Sequence, residues 1–204
     1  MTRETSDREI RAIYNPDSIR VYQAFSDEIA DSAINHNTFV SPPFKMTRMT
    51  WIKPSFMWMM YRAGWGEKDN KQKRILAIDI THDGFLWALS HSCLSSYNPE
   101  VFKTKDEWEK KKSESSVKIQ WDPERNISLE KLKYRTIQIG LSGEAVQYYT
   151  KEWIIKITDI TDLAYQIKSN IEMGFIEKAK ELAPEEKIYP LSSSLAHSLG
   201  MTNS

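Results

Sequence analysis

The chain has 204 residues, of which 40% are hydrophobic and 27% charged, and Lys plus Arg balance Asp plus Glu at 28 each. These figures exclude a disordered tail and a membrane-embedded protein, and they remove the global charge argument for a nucleic-acid binder, leaving only a local patch. The single Cys93 excludes an internal disulfide, the opening MTRETSDREI lacks the apolar stretch of a secretory signal, and Phe56 to Tyr61 falls far short of the ~20 residues of a membrane helix. The expectation is a soluble cytoplasmic protein with no membrane partner.

In chain order, Ser6 with Glu9 reads as a capping box opening a short helix, and Asn15-Pro16-Asp17 as a turn. Ile19 to Phe25 (IRVYQAF) has the apolar pattern of a strand. Ser26-Asp27-Glu28 then caps a helix with Ile29, Ala30, Ala33 and Ile34 on one face. Phe39 to Lys45, with Pro42-Pro43, is a loop. Met49 to Lys53 is a short strand that Pro54 terminates, and Ser55 caps a helix from Phe56 to Arg62 that Gly64 closes.

After the polar loop Glu67 to Lys73, Arg74 to Ile80 (RILAIDI) is the clearest buried strand, and Thr81 caps a helix carrying Phe85, Leu86, Leu89 and Cys93. Thr104 with Glu107 opens a charged helix around Trp108. Val117, Ile119 and Trp121 alternate as a half-buried strand, Asp122-Pro123-Glu124 reads as a turn, and Ile137, Ile139 and Leu141 alternate again before Ser142-Gly143-Glu144 at a strand-to-helix junction. Trp153 to Ile160 is a strand. Thr161 caps a helix with Leu163, Ile167 and Ile171 that ends at Gly174, and a last helix covers Phe175 to Leu182. About six strands and six helices alternate irregularly, which predicts one α+β domain over residues 1–190, and the Ser-rich stretch 191–204 is expected to be a flexible tail.

Metal ligation has little to work with: the four histidines (36, 82, 91 and 197) show no helix-face spacing, so no metal is expected. Cys93 and His91, two apart, do not face each other on a helix, which favours a small buried thiol over a nucleophile pair. Gly140-Leu141-Ser142-Gly143-Glu144 is a near miss to the nucleophile elbow, with Glu144 in place of the final glycine and only His197 downstream. The same stretch also reads as a tight glycine turn, or as exposed amides from Ser142 to Glu144 that hold an anion, with the Glu144 carboxylate near backbone donors.

Lys45 to Arg74 carries eight cations (45, 48, 53, 62, 68, 71, 73 and 74) against Glu67 and Asp69, interleaved with Trp51, Phe56, Trp58, Tyr61 and Trp65. One reading is a surface for phosphates and planar rings, with Arg48, Lys53 and Arg62 flanking the strand–Pro54–helix turn. The other is that Phe56, Met59 and Met60 are core and the cations are simply solvated. A nucleic acid would use the same patch.

The segments IRVYQAF (19–25), MTWIKPSFMWMMYRAGW (49–65), LAIDIT (76–81), QWDPER (120–125) and IQIGLSGEAV (137–146) resemble the bacterial family known as domain of unknown function 4291, over nearly the whole chain. Val21-Tyr22-Gln23-Ala24-Phe25-Ser26, the helix with Ile29-Ala30 and Ile34, and then Phe39 also resemble the opening of ADP-ribosyltransferase-type domains. That second resemblance implies a split, mixed or antiparallel sheet flanked by helices, and an enzyme that cleaves the nicotinamide–ribose bond of NAD and passes ADP-ribose to a protein, nucleic-acid or small-molecule acceptor. Gln23 falls where the family carries His or Arg; it can hydrogen-bond but supplies no charge. Ser55 or Tyr61 falls at the middle element and Glu144 at the late strand end. The reaction passes through an oxocarbenium-like centre, needs no metal, and needs one carboxylate near the ribose. The resemblance gives Glu144 and Gln23 the catalytic roles, Tyr22 and Trp58 an aromatic wall, and Arg48, Lys53 and Arg62, with Ser55 and Ser142, the binding of NAD.

Overall fold

The segment Arg74–Thr81 forms a strand buried on both faces, with Ile75, Leu76, Ala77, Ile78 and Ile80 shielded from solvent, as its unbroken apolar run requires. It lies at the centre of a computed structural model that describes residues 7–201. The elements in chain order are β1 (Arg11–Ala12), β2 (Ser18–Phe25), α1 (Asp27–His36), β3 (Thr50–Ile52), α2 (Phe56–Ala63), β4 (Arg74–Thr81), α3 (His82–Ser90), β5 (Ser92–Leu94), α4 (Lys105–Glu114), β6 (Val117–Arg125), β7 (Lys131–Leu141), α5 (Glu144–Tyr148), β8 (Ile154–Asp159), α6 (Thr161–Glu172), α7 (Ile176–Leu182), β9 (Lys187–Ile188) and α8 (Ser193–Ser198). A π-helical turn, Tyr149–Trp153, joins α5 to β8.

Two main sheets make up an α+β domain. One is antiparallel in the order β2-β4-β8; the other runs β3-β7-β6-β5, with β5 alone parallel to its neighbour. A bridge joins them: the Tyr22 N–H donates to the Lys53 carbonyl at 2.7 Å and the Lys53 N–H returns a bond to Tyr22 at 3.2 Å. The seam therefore reads β8-β4-β2, then β3-β7-β6-β5, and β2, β3 and β7 lie side by side. A small third sheet pairs β1 with β9, tying residues near the N-terminus to the segment after α7.

The principal core fills the space between the sheets, from Ile19, Val21, Ile78 and Ile80 on one side to Ile119, Ile137, Ile139 and Leu141 on the other. A second cluster packs α2, α6 and α7 through Phe56, Met59, Met60, Ala164, Ile167 and Ala179 against Tyr22, Ile75 and Ala77. Phe56, Met59 and Met60 of the basic aromatic stretch are thus core. Gly64, at φ 55°, turns the chain out of α2 as a left-handed cap. Gly84 lies so close to the Trp153 ring that a Cβ there would meet it at 2.3 Å, which fixes α3 against the π-helical turn.

The structure departs from the sequence expectations at five places. Ser6 lies outside the described residues, and the residues after it form β1 and a bridge rather than a helix, because Arg11 and Ala12 pair with β9. Cys93 belongs to β5, since α3 stops at Ser90. Asp122-Pro123-Glu124 is no turn: β6 runs through it to Arg125, accommodated by a register shift between Pro123 and Arg125. Thr161 is the first residue of α6 rather than its cap; its hydroxyl accepts from the Ile75 N–H at 2.9 Å and donates to Asp159. The stretch after Pro190 is packed up to residue 201: α8 forms, Leu199 is buried, and the Trp121 indole donates to the Leu199 carbonyl at 2.9 Å. Among the described residues no helix is long and apolar enough to cross a membrane.

Candidate functional site

The long β6–β7 ladder explains the site. Its inward residues, Val117, Ile119, Ile137, Ile139 and Leu141, are buried in the core. Side chains alternate along a strand, so Gln120, Asp122 and Glu124 on β6 and Thr136, Gln138 and Gly140 on β7 take the opposite face. The register sets Gln120 against Gln138 and Asp122 against Thr136. Asp122 is held from both sides: the Gln138 amide donates to one carboxylate oxygen at 2.6 Å and the Gln120 amide to the other at 3.0 Å. Neutral amides orient a carboxylate without bringing a counter-charge to it.

The rest of the site comes from the β3–α2 junction. Continuing the β3–β7 register from Ile52–Ile139 places Lys53 beside Gln138. Pro54 ends the strand, and the Ser55 hydroxyl accepts from the Trp58 N–H at 3.0 Å, starting α2 directly over the polar face. Lys53 is buried; its Nζ donates to the Trp51 carbonyl at 3.2 Å, and among the described residues no carboxylate comes within ion-pairing distance of it. Burial pulls the amine down to about 7, Arg62 pulls the same way, and Asp122 opposes them. The Trp51 ring lies against Gly140, where a Cβ would meet it at 3.0 Å.

Farther along the same face, the Arg125 guanidinium lies 3.7 Å from the Tyr61 ring centroid and 5.7 Å from that of Trp58, and these two rings stack at 5.1 Å. Arg125 Nε and Trp58 Nε1 are buried donors without a protein partner. Orphaned donors of this kind suit an anionic or acceptor-rich ligand. Under the N-terminus of α2 sit two acids, Glu124 buried and Glu186 half-buried. Glu186, arriving from the segment before β9, accepts from the Phe56 N–H at 2.6 Å; burial pushes its carboxyl well above the ordinary range, and Glu124 adds to the rise. Burial also raises Glu124, against the Arg125 N–H. Nearby, the buried Tyr22 hydroxyl has no partner, and its ring meets Phe56 edge-on.

Of the residues singled out from sequence, Tyr22, Lys53, Ser55, Trp58 and Arg62 gather at this junction; Tyr22, Ser55 and Trp58 are buried there, and Ser55 serves as the helix cap. The others lie elsewhere. Gln23 faces the opposite way from Tyr22 and is fully engaged: its amide donates to Thr50 at 2.6 Å and to the Trp51 carbonyl at 3.3 Å, and its carbonyl accepts from Tyr149 at 2.8 Å. Glu144 is exposed at the start of α5, beyond the end of β7, near Ser116; the Ser142 hydroxyl donates to the Ser116 carbonyl at 2.9 Å. Arg48 is exposed in the loop before β3. Lys73 and Arg74, counted with the basic stretch, are taken up by Asp27, Asp31 and Asp159. Cys93 is buried and its thiol is pushed up by that burial.

Sequence reasoning missed Asp122, Gln138, Gln120, Arg125 and Glu186. A signal existed for two of them, since Gln120 and Asp122 alternate, together with Glu124, within QWDPER. The Pro hid it by suggesting a turn. Glu186 carried no local signal, because it reaches the site through tertiary structure alone.

The fold and site define an α+β protein whose polar sheet face meets an aromatic helix carrying Arg62. The chain belongs to the family described as Domain of unknown function (DUF4291), matched over residues 9–189. That span includes every residue of this face and Glu186. A comparison with curated proteins returns no match.

Proposed function

We propose that the Lys53–Asp122 face binds NAD, and that the protein is an ADP-ribosyltransferase-like enzyme that breaks the nicotinamide–ribose bond and passes ADP-ribose to an acceptor. The observation that carries this reading is the adjacency of β2, β3 and β7: β2 and the end of β7 are segments that the resemblance names, and β3 leads directly into its middle element at Ser55 or Tyr61. Arg62 is the cation for the pyrophosphate, and Trp51 and Trp58 supply flat apolar surface for the nicotinamide. Bond cleavage leaves positive charge on the ribose, which a fixed carboxylate stabilises most when its dipolar neighbours are already in place. Asp122, gripped by two amides, meets that description better than Glu144, which is exposed past the sheet end.

Nicotinamide release from NAD tests the assignment. Asp122→Asn is expected to lower the rate by about 100-fold or more, the usual effect of removing one fixed electrostatic contact, while Glu144→Gln changes it less than about threefold. The reverse ranking would return the catalytic role to Glu144. Salt-dependent binding of single-stranded nucleic acid without NAD turnover would favour a nucleic-acid module instead.

A further inference from the structure

We infer that Lys53 is the proton acceptor that activates the incoming nucleophile, and that the acceptor is therefore a neutral hydroxyl or ring N–H compound rather than a carboxylate. The inference rests on the NAD reading above and deepens it. Its basis is the set of groups around one amine. Lys53 sits at the junction of both sheets, its backbone bridged to Tyr22 and its side chain on the polar face. A lysine kept as a charge anchor is ordinarily given a carboxylate, as Lys73 is given Asp27 and Lys168 is given Glu67 and Glu172. Lys53 has only a backbone carbonyl. The charged groups that act on it are Arg62 on α2 and Asp122 on β6; β2 bridges its backbone through Tyr22, whose phenol is buried, and β7 contributes the neutral Gln138.

With Arg62 pressing on a buried amine, the neutral form is accessible near neutrality, at about 7. A neutral amine on the same sheet face as a fixed carboxylate has what a base needs: an electron pair to take the proton and a negative charge within electrostatic reach that favours the ammonium once formed. The step balances as follows. The acceptor's O–H or N–H proton passes to Nζ while the electron pair it leaves forms the new bond to C1′ of the ribose. The C1′–N bond breaks with its pair departing on nicotinamide, which leaves neutral. The ammonium later returns its proton to solvent. A carboxylate acceptor is already ionised and would gain nothing from such a base.

The test combines a titration with a pH profile. The protein is reductively 13C-methylated and the Lys53 signal, assigned by its loss in Lys53→Arg, is followed by NMR. In parallel, nicotinamide release and transfer to added methanol are measured from NAD between about pH 5.5 and 9 in wild type, Lys53→Arg and Lys53→Met. Expected are a Lys53 midpoint near 7 and a wild-type transfer rate that rises with pH through the same midpoint. Lys53→Arg is expected to lose the inflection and about 100-fold in transfer. A Lys53 midpoint above about 9, an ordinary lysine value, overturns the inference whatever the activity of the variants. So does an inflection that persists in Lys53→Arg. Wild type that neither binds nor cleaves NAD overturns the NAD reading itself, and the inference with it.

Discussion

Lys53 and Arg74 come from one basic stretch of sequence, and the fold treats them in opposite ways. Arg74 opens β4 and meets three carboxylates from two elements: Asp159 at the end of β8, and Asp31 and Asp27 on α1. Its bonds to Asp159 hold the guanidinium above its ordinary range. Lys53 ends β3, is more deeply buried, and is left with a backbone carbonyl and a neighbouring cation. The first arrangement joins a strand, a helix and a second strand, as a structural ion pair does. The second stores an unfavourable charge at a sheet seam, which a protein tolerates where the site uses it. Counting cations in the sequence cannot separate the two, because what differs is the carboxylates that arrive from distant segments.

The comparison extends to Gln23 and Asp122, two polar groups the fold also fixes. Every polar atom of the Gln23 side chain is spent on Thr50, Trp51 and Tyr149 inside the protein. Gln23→Ala should leave Thr50 and Tyr149 without partners and cost about 3 kcal/mol of stability, read from denaturant unfolding. Its remaining folded fraction should keep ordinary NAD affinity. Loss of affinity with unchanged stability would put Gln23 in the site instead.

Arg74→Met comes next. It strands Asp159 and Asp31 beside each other and should cost about 2 kcal/mol, less than a fully buried pair because all partners retain some solvent. Raising the salt concentration should shrink that cost, whereas a salt-independent loss would point to packing of the side chain rather than charge.

Lys53 and Glu186 should bend the pH dependence of stability in opposite directions. For Lys53 the folded value lies below the unfolded one, so between about 7 and the ordinary lysine range the unfolded chain binds more protons and stability rises with pH. Lys53→Met should remove that rise and stabilise the protein most at and below pH 7. For Glu186 the folded value lies above the unfolded one. Its contribution is intact below the ordinary carboxyl range and is lost as pH climbs through the folded value. Glu186→Gln keeps an acceptor for the Phe56 N–H and should flatten that loss, giving a higher melting temperature than wild type at alkaline pH. A steeper alkaline loss in the variant would contradict the neutral carboxyl. Smallest of all, Glu144→Gln should shift stability by less than about 0.5 kcal/mol, as expected for an exposed side chain.

Much of the architecture was legible in the sequence, and the reasons are local. Arg74 to Ile80 reads as buried strand because nothing polar interrupts its apolar run until Asp79. Ser55 and Gly64 bracket α2 with the two strongest punctuation marks a helix has, and the structure uses both. Thr104 caps α4 as its spacing to Glu107 indicates. The failures share a cause: tertiary pairing overrides local chemistry. Pro123 lies inside β6 because a register shift removes the need for its missing N–H. Residues 193–199 pack because Leu199 finds a buried place and its carbonyl finds Trp121, neither visible in a Ser-rich segment.

The candidate site was half legible. Lys53, Trp58 and Arg62 stood out as cations and rings around a strand–proline–helix turn, which is a local pattern. Asp122 and Gln138 did not, because their pairing requires β6 and β7 to meet in one particular register. Glu144 attracted notice by its position at a strand-to-helix junction, but it starts α5 past the end of β7 at Leu141, whereas Lys53 lies level with Gln138.

A crystal structure with NAD or a non-hydrolysable analogue bound is the most direct test of the central claim. The account predicts the pyrophosphate beside Arg62 and the nicotinamide ribose within hydrogen-bond reach of Asp122 and Lys53. A ligand seated instead against Glu144 and Ser142, with the Lys53–Asp122 face empty, would contradict it.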